Sequence, residues 1–353
     1  MIQAERIFDS LLSSDKTPSV HYIHFTSENV LYEYCQGFAD IKNRIKITDQ
    51  SVFHACSVTK TFTALAILQL EQEGKLNIEN PAKSYWPEFP YPGDITVHQL
   101  LSHTAGIPNP IPLRWIHLVD EHSSFDKDSF FESIFNKHRR VMTKPNEKFL
   151  YSNLGYVLLG QLIEKISGKS YERFITDDII YKLGLQPGEL GFTIHDFANN
   201  VTGYQKNWTF MNLLLGFFLD KSKFMGHAEE KWKPFKTFYI NGSSYGGLIG
   251  TANSLRKYVQ QLLRTDNSLI SEEYKNSLFT ENHTNDKRST GMCLSWFCGE
   301  LDGKKYFAHP GGGGGYYCEL RLYPEINRGS VVMFNRTGMS NEKFLDRVDR
   351  FFL

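Results

Sequence analysis

Strand-forming sequence lies at both ends of the chain, with a helical middle between, and this layout limits the fold more than any other feature. Near the start, "SVHYIHFT", the turn "SEN" and "VLYEYCQG" read as a β-hairpin over 19–37. Near the end, "GMCLSWFCGE" and "KKYFAHP" flank Asp302-Gly303, a dipeptide suited to a tight hairpin turn. "YYCELRLYP" and "GSVVMFNR" continue the meander. A helix accompanies each set. Ile2, Ile7, Leu11 and Leu12 recur at roughly helical spacing, and Asn341–Leu353 reads as a helix capped by Ser340, with Phe344, Leu345, Val348 and Phe352 on one face. The economical arrangement is an α+β fold: one antiparallel sheet of about five strands, built from both termini and covered by helices.

The middle is mostly helical. Residues 59–73 are dense in Ala, Leu and Ile, and Gly74 is placed to end that helix. Leu154–Ile166 is a second apolar helix, closed by Ser167-Gly168. Leu255, Tyr258, Val259, Leu262 and Leu263 follow an amphipathic helical pattern. The expected organisation is a single domain over 1–353. It has an α/β lobe of about 1–58 and 243–353 and an inserted, mostly helical lobe of about 59–242. At 353 residues and 41% hydrophobic content, the chain can bury a large core.

Charge excludes some partners. Lysine plus arginine and aspartate plus glutamate number 39 each, so no basic stripe suggests nucleic acid. The five cysteines, Cys35, Cys56, Cys293, Cys298 and Cys318, form no C-x-x-C, and no Cys/His cluster has metal-ligand spacing. No metal or organic cofactor is expected. The N-terminal segment is charged and amphipathic, unlike a signal peptide. The longest apolar stretch, "MNLLLGFFL" at 211–219, is too short to span a bilayer. The expectation is a soluble, cytoplasmic protein without a membrane span.

Three short patterns could carry chemistry. In "HACSVTKTFTALAILQL", Ser57 and Lys60 stand one turn apart at the start of an apolar helix. A serine hydroxyl needs a neighbour to take its proton, and a lysine can do so where burial lowers its pKa. The chain holds five S-x-x-K pairs, but only this one opens a helix apolar enough to be central. "LYSNLGY" places Tyr151 and Asn153 two apart before a helix, a pattern that also reads as a plain helix cap. "HPG" at 309–311 opens a run of five glycines where a strand is expected to end.

Together these elements resemble the serine β-lactamase and penicillin-binding-protein-like superfamily, and within it the branch of class C β-lactamases, D-amino-acid peptidases and related esterases. "FHACSVTKTFTALAILQLEQEGKLNIENPA", "ITVHQLLSHTAGIP", "FLYSNLGYVLLGQLIEKISGKSY" and "YGGLIGTANSLRKYVQQLL" are similar to that family, in its order. The resemblance implies a serine hydrolase working through an acyl-enzyme. It makes Ser57 the nucleophile and shares base and acid work between Lys60 and Tyr151. It gives Asn153 the task of positioning the lysine and the substrate. His309 replaces the third-motif lysine, the backbone N–H groups of Ser57 and Gly312 form the oxyanion hole, and Gly311 and Gly313 adjoin the substrate.

The third motif departs from the penicillin-recognising pattern. Pro310 has neither a hydroxyl nor an N–H, and His309 is mostly neutral near pH 7. A small neutral ester or amide is therefore the expected substrate. A β-lactam or D-Ala-D-Ala peptide is the alternative, and a slowly deacylating penicillin-binding sensor is the rival from another class. The aromatic stretch 203–240 reads either as a wall for an apolar acyl or leaving group or as core packing. Gly313 to Gly315 exceed what the motif requires.

Overall fold

The computed structural model describes residues 2–207, 219–338 and 343–353. Helix α1 (Ile2–Ser13) leads into strands β1 (Ser19–Phe25), β2 (Val30–Asp40) and the two-residue β3 (Ile45–Lys46). Three long helices occupy the middle: α2 (Thr59–Gln72), α3 (Asn153–Ser167) and α4 (Ala252–Leu263). The chain returns through β4 (Phe297–Leu301), β5 (Lys304–Gly313), β6 (Tyr316–Tyr323) and β7 (Arg328–Phe334). These strands form one antiparallel sheet in the order β4-β5-β6-β7-β1-β2-β3.

The sheet thus joins both ends of the chain at its centre, where Val20 of β1 lies opposite Phe334 of β7. It has seven strands rather than about five, because β3 adds a short edge and both terminal sets pair fully. The first segment expected as a strand, "GMCLSWFCGE", begins pairing only at Phe297; Ser295 has φ +71, which breaks an extended run before it.

Period-2 alternation buries both faces of β1. Val20 and Tyr22 pack under α1 with Phe8 and Phe344, while Ile23 and Phe25 join the main core beneath α4. Helix α2 runs through that core. Every residue from Thr59 to Leu70 is buried, so this stretch has no solvent face. Its threonines are satisfied locally: Thr59 Oγ1 donates to the Cys56 carbonyl, and Thr61 Oγ1 to that of Val58. None of the described helices is long and apolar enough to cross a membrane.

The C-terminus corrects one expectation. The proposed Ser340 cap and residues 341–342 lie outside the described residues, and so does most of "MNLLLGFFL". The final segment forms two 3-10 turns, Phe344–Arg347 and Asp349–Phe351, instead of an α-helix. A 3-10 turn aligns residues i and i+3. That brings Asp346 and Asp349 to the buried Arg321, with Asp346 accepting from its guanidinium at 2.6 Å. Asp349 also accepts from Tyr22, Tyr323 and Ser330. The polar cluster under the turns overrides the helical periodicity, while Phe344, Leu345 and Val348 remain buried.

Candidate active site

The turn that carries Ser57 is held from three sides. Residues 53–54 pair with 249–250 in a short antiparallel bridge. Cys56 then takes a left-handed conformation, φ +48, which is uncommon for a residue with a side chain. The 3-10 turn Cys56–Val58 runs directly into α2. Thr59 Oγ1 bonds both the Cys56 carbonyl and the Leu248 N–H, tying the turn to segment 244–248. Thr63 Oγ1 donates to the Ser244 carbonyl at 2.7 Å, anchoring the same segment one turn further along.

Lys60 lies between these anchors. Its Nζ is 3.1 Å from Ser57 Oγ and donates to the Tyr245 carbonyl at 2.7 Å. The side chain is fully buried. The rings of Tyr151, Tyr245 and Tyr156 surround the amine, with centroids 5.0, 5.3 and 5.6 Å away. Among the described residues, no carboxylate lies within ion-pair distance of it. Ring faces favour a cation modestly, but loss of hydration costs far more. Burial therefore holds the Lys60 pKa well below the ordinary amine value. A neutral amine beside a serine hydroxyl has the lone pair needed to accept its proton.

Tyr151 faces the same amine. Its ring packs 4.3 Å from His103 and 6.5 Å from His309, centroid to centroid. His103 is buried with φ +57, and its Nδ1 accepts the Ser152 N–H at 3.1 Å. That bond leaves the His103 proton on Nε2. His309 Nδ1 donates to the Pro310 carbonyl at 2.8 Å, which makes Nε2 the lone-pair nitrogen. Burial, with a smaller effect from Lys60, pushes the His309 pKa down to about 3. His309 is thus a neutral, buried imidazole.

Asn153 makes no hydrogen bond to Lys60, which was one half of its expected role. It is the first residue of α3, capped by Ser152, whose Oγ accepts from the Gly155 N–H. Its N–H and Nδ2 both donate to Asn109 Oδ1, at 3.1 and 3.2 Å. The lysine is held by the Tyr245 carbonyl instead, and Asn153 Oδ1 is buried with no protein partner. Sequence reading missed Tyr245 and Asn109. A backbone carbonyl leaves no trace in residue identity, although "YGGLIG" marked the segment; for Asn109 the only signal was the turn-forming Asn-Pro in "GIPNP".

The glycine run divides by position. Gly311 is packed against the turn that carries Ser57: a Cβ there would sit 2.5 Å from the Ala55 carbonyl oxygen and 2.7 Å from Ser57 N. It therefore meets protein rather than the open site. Gly312 has room for a Cβ, at 3.5 Å from the Tyr316 carbonyl. Gly313 to Gly315 all have positive φ and build the turn from β5 to β6. They are required by backbone geometry and are not surplus. A Cβ on Gly314 would lie 2.3 Å from the Phe238 ring.

A cavity of about 290 Å³ opens beside Ser57. Asn153 and Gly312 to Gly314 line it, and Leu113, Ile116, Phe235, Phe238 and Ile240 form apolar walls. The described parts of segment 203–240 thus supply a wall to this cavity. Site and cavity together hold a serine, a buried amine, a tyrosine and close backbone N–H groups around one accessible hydroxyl.

The sequence profile of the Beta-lactamase family matches residues 4–351. Penicillin-binding protein 4* of Bacillus subtilis is 26% identical over 314 residues, covering 87% of this chain and 66% of that protein. Protein flp of Staphylococcus aureus is 25% identical over 343 residues, covering 94% of this chain and 62% of that protein. The chain therefore spans about two-thirds or less of these relatives' lengths. The octameric penicillin-binding protein homologue from Pyrococcus abyssi superimposes with a TM-score of 0.79 at 25% identity, over 99% of this chain and 76% of the other. D-amino acid amidase from Ochrobactrum anthropi SV3 shares the fold at a TM-score of 0.75 and 18% identity, over 99% and 98%. With a profile match over nearly its whole length and the same fold as these solved structures, the chain belongs to the Beta-lactamase family.

Proposed function

We propose that this protein is a serine hydrolase that forms an acyl-enzyme on Ser57 and prefers ester or amide substrates. The observation that carries the reading is the buried, carboxylate-free Lys60 amine 3.1 Å from Ser57 Oγ. Lys60 takes the hydroxyl proton as Ser57 Oγ bonds to the substrate carbonyl carbon. The carbonyl oxygen gains the electron pair and is held by the N–H groups of Ser57 and Gly312. Collapse of this intermediate expels the alcohol or amine, which leaves with a proton relayed through Lys60 and Tyr151. Water then attacks the Ser57 ester by the reverse route, releasing acid and free serine.

His309 and Pro310 stand where penicillin-recognising relatives carry lysine and threonine. A neutral, buried imidazole gives a carboxylate next to the scissile bond no counter-charge. The names of the Bacillus and Pyrococcus relatives make β-lactam acylation the alternative to test.

A fluorophosphonate probe followed by intact-mass analysis tests the nucleophile: one adduct on the protein and none on Ser57→Ala is expected. A substrate panel then compares p-nitrophenyl esters, D-amino-acid amides, D-Ala-D-Ala peptides and nitrocefin. Nitrocefin turnover exceeding ester and amide turnover would reverse the preference. A lasting β-lactam adduct without turnover of anything in the panel would favour the sensor. Unchanged hydrolysis by Ser57→Ala would overturn the assignment itself.

A further inference from the structure

One wall of the cavity beside Ser57 is a piece of regular structure. Residues Ile116–Leu118 and Phe238–Ile240 pair as a two-stranded antiparallel ribbon, with Ile116 opposite Ile240 and Leu118 opposite Phe238. Side chains alternate between the faces of a strand, and Ile116, Phe238 and Ile240 line the cavity. The other face carries His117 and Tyr239 and is tied down by polar bonds. His117 Nδ1 donates to Asn241 Oδ1 at 2.8 Å, and Tyr239 Oη accepts the Ile194 N–H at 3.1 Å. The apolar wall is therefore a fixed part of the fold.

Two glycines accommodate this wall. A Cβ on Gly246 would lie 3.3 Å from Ile240 Cδ1 and 3.8 Å from the Cys56 carbonyl, which puts Ile240 against the turn that carries Ser57. A Cβ on Gly314 would lie 2.3 Å from the Phe238 ring, and that ring stacks on His54 at 4.7 Å. The polar groups of the lining have partners within the protein: Thr337 Oγ1 accepts the Gly315 N–H, and Arg336 donates to the carbonyls of Lys16, Thr337 and Gly338. The position of the acid–base groups then decides which part of a substrate enters. In acyl transfer the leaving group must receive a proton, and Lys60 and Tyr151 are the groups proposed to give it. Ser57 and Gly312 line the cavity, whereas Lys60, Tyr151 and His309 do not. The leaving group therefore lies on the Tyr151 side, outside the cavity, and the cavity receives the acyl side of the carbonyl.

We infer that the cavity is an acyl pocket for an unbranched apolar chain, and that Phe238 and Ile240 set the chain length it accepts. This rests on the reading of Ser57 as the nucleophile. The volume of about 290 Å³ holds about ten non-hydrogen atoms, taking about 30 Å³ for a water-sized group. An octanoyl group fits that space and a dodecanoyl group exceeds it.

A p-nitrophenyl ester series from acetyl to dodecanoyl, kept below micelle formation, tests this through first-turnover release of p-nitrophenolate and the mass of the acyl-enzyme. The second-order acylation rate should rise about fourfold per methylene up to octanoyl and fall for dodecanoyl. Phe238→Ala should raise the dodecanoyl-to-octanoyl ratio at least tenfold. Ile240→Phe, which narrows the pocket, should lower the octanoyl-to-butanoyl ratio at least tenfold, and it keeps the test open if the alanine variant fails to fold. Phenyl acetates with para-butyl and para-hexyl chains vary the leaving group alone, and the ratio between them should move less than threefold in either variant. A flat acyl series in the wild type, unmoved acyl ratios in both variants, or a response of the leaving-group series in place of the acyl series would overturn the inference. If no ester acylates a protein that fluorophosphonate labels on Ser57, the acyl pocket fails while the nucleophile assignment stands. If fluorophosphonate leaves no adduct on Ser57, that assignment fails first and the pocket with it.

Discussion

Gly311→Ala puts the geometry of the site to a sharp test. The added Cβ would lie 2.5 Å from the Ala55 carbonyl oxygen, 2.7 Å from Ser57 N and 3.1 Å from Cys56 Cβ. The first two partners are backbone and cannot swing aside. Ordinary contacts of this kind begin near 3.4 Å, so β5 and the Ser57 turn must separate by about 0.5–1 Å, at an overpacking cost of about 1–3 kcal/mol. The same separation moves the Ser57 N–H away from Gly312 N–H, and these are the two proposed oxyanion donors. A displacement near 1 Å costs about 100-fold in rate, or about 2.7 kcal/mol of transition-state stabilisation. The assay is kcat/KM on a p-nitrophenyl ester, with the urea midpoint measured in parallel. Gly312→Ala is the matched control, since its Cβ would lie 3.5 Å from the Tyr316 carbonyl and 3.6 Å from the Tyr317 ring. It should unfold at the wild-type midpoint, whereas Gly311→Ala should lose both stability and rate. A Gly311→Ala enzyme within threefold of wild type would refute the argument.

Charge and burial set further outcomes. If the lowered Lys60 pKa governs the base, the acid limb of kcat/KM should begin at a lower pH than an ordinary amine base gives; such a base loses about tenfold per unit throughout the range below about pH 10. His24, His54 and His309 have folded pKa values near 3, below the unfolded 6.5. Stability is therefore full above pH 6.5 and falls as pH drops toward 3, by about 1.4 kcal/mol per unit for each histidine. Glu319, raised to about 7, opposes this, because its contribution is present below pH 4.5 and lost as pH rises through 7. These four groups together imply a loss of about 3 kcal/mol per unit from pH 6.5 to 5, and the lowered pKa of the buried His103 acts in the same direction; a rising urea midpoint on acidification would contradict it. Arg321→Met should destabilise by about 3–5 kcal/mol in equilibrium unfolding, because it strands the buried Glu319 and Asp349.

Much of the fold was legible because periodicity and burial agree there. The terminal strands, and the helices ended by Gly74 and Gly168, with φ +70 and +71, follow from local pattern alone. Ser57 and Lys60 could be singled out because a lysine at the start of a wholly apolar helix needs a reason to be there. The misses share another cause. The C-terminal segment has helical periodicity, yet Arg321, distant in sequence, selects 3-10 turns. The lysine's holder is a main-chain carbonyl, and Asn153 turns to Asn109. The glycines of the β5–β6 turn are fixed by φ and by Phe238, neither of which the run itself reveals.

The central pairing of β1 with β7 also has a consequence for synthesis. Ser19 bonds Asn335, 316 residues further along the chain. The ribosome releases β1 early, yet β7, which pairs with it, emerges last. Translation at about 5–20 residues per second leaves β1 without that partner for tens of seconds. A nascent chain of this kind depends on being shielded during that interval. Loss of the final strand should yield aggregation rather than a weakened enzyme, because the sheet would lose its centre and not an edge.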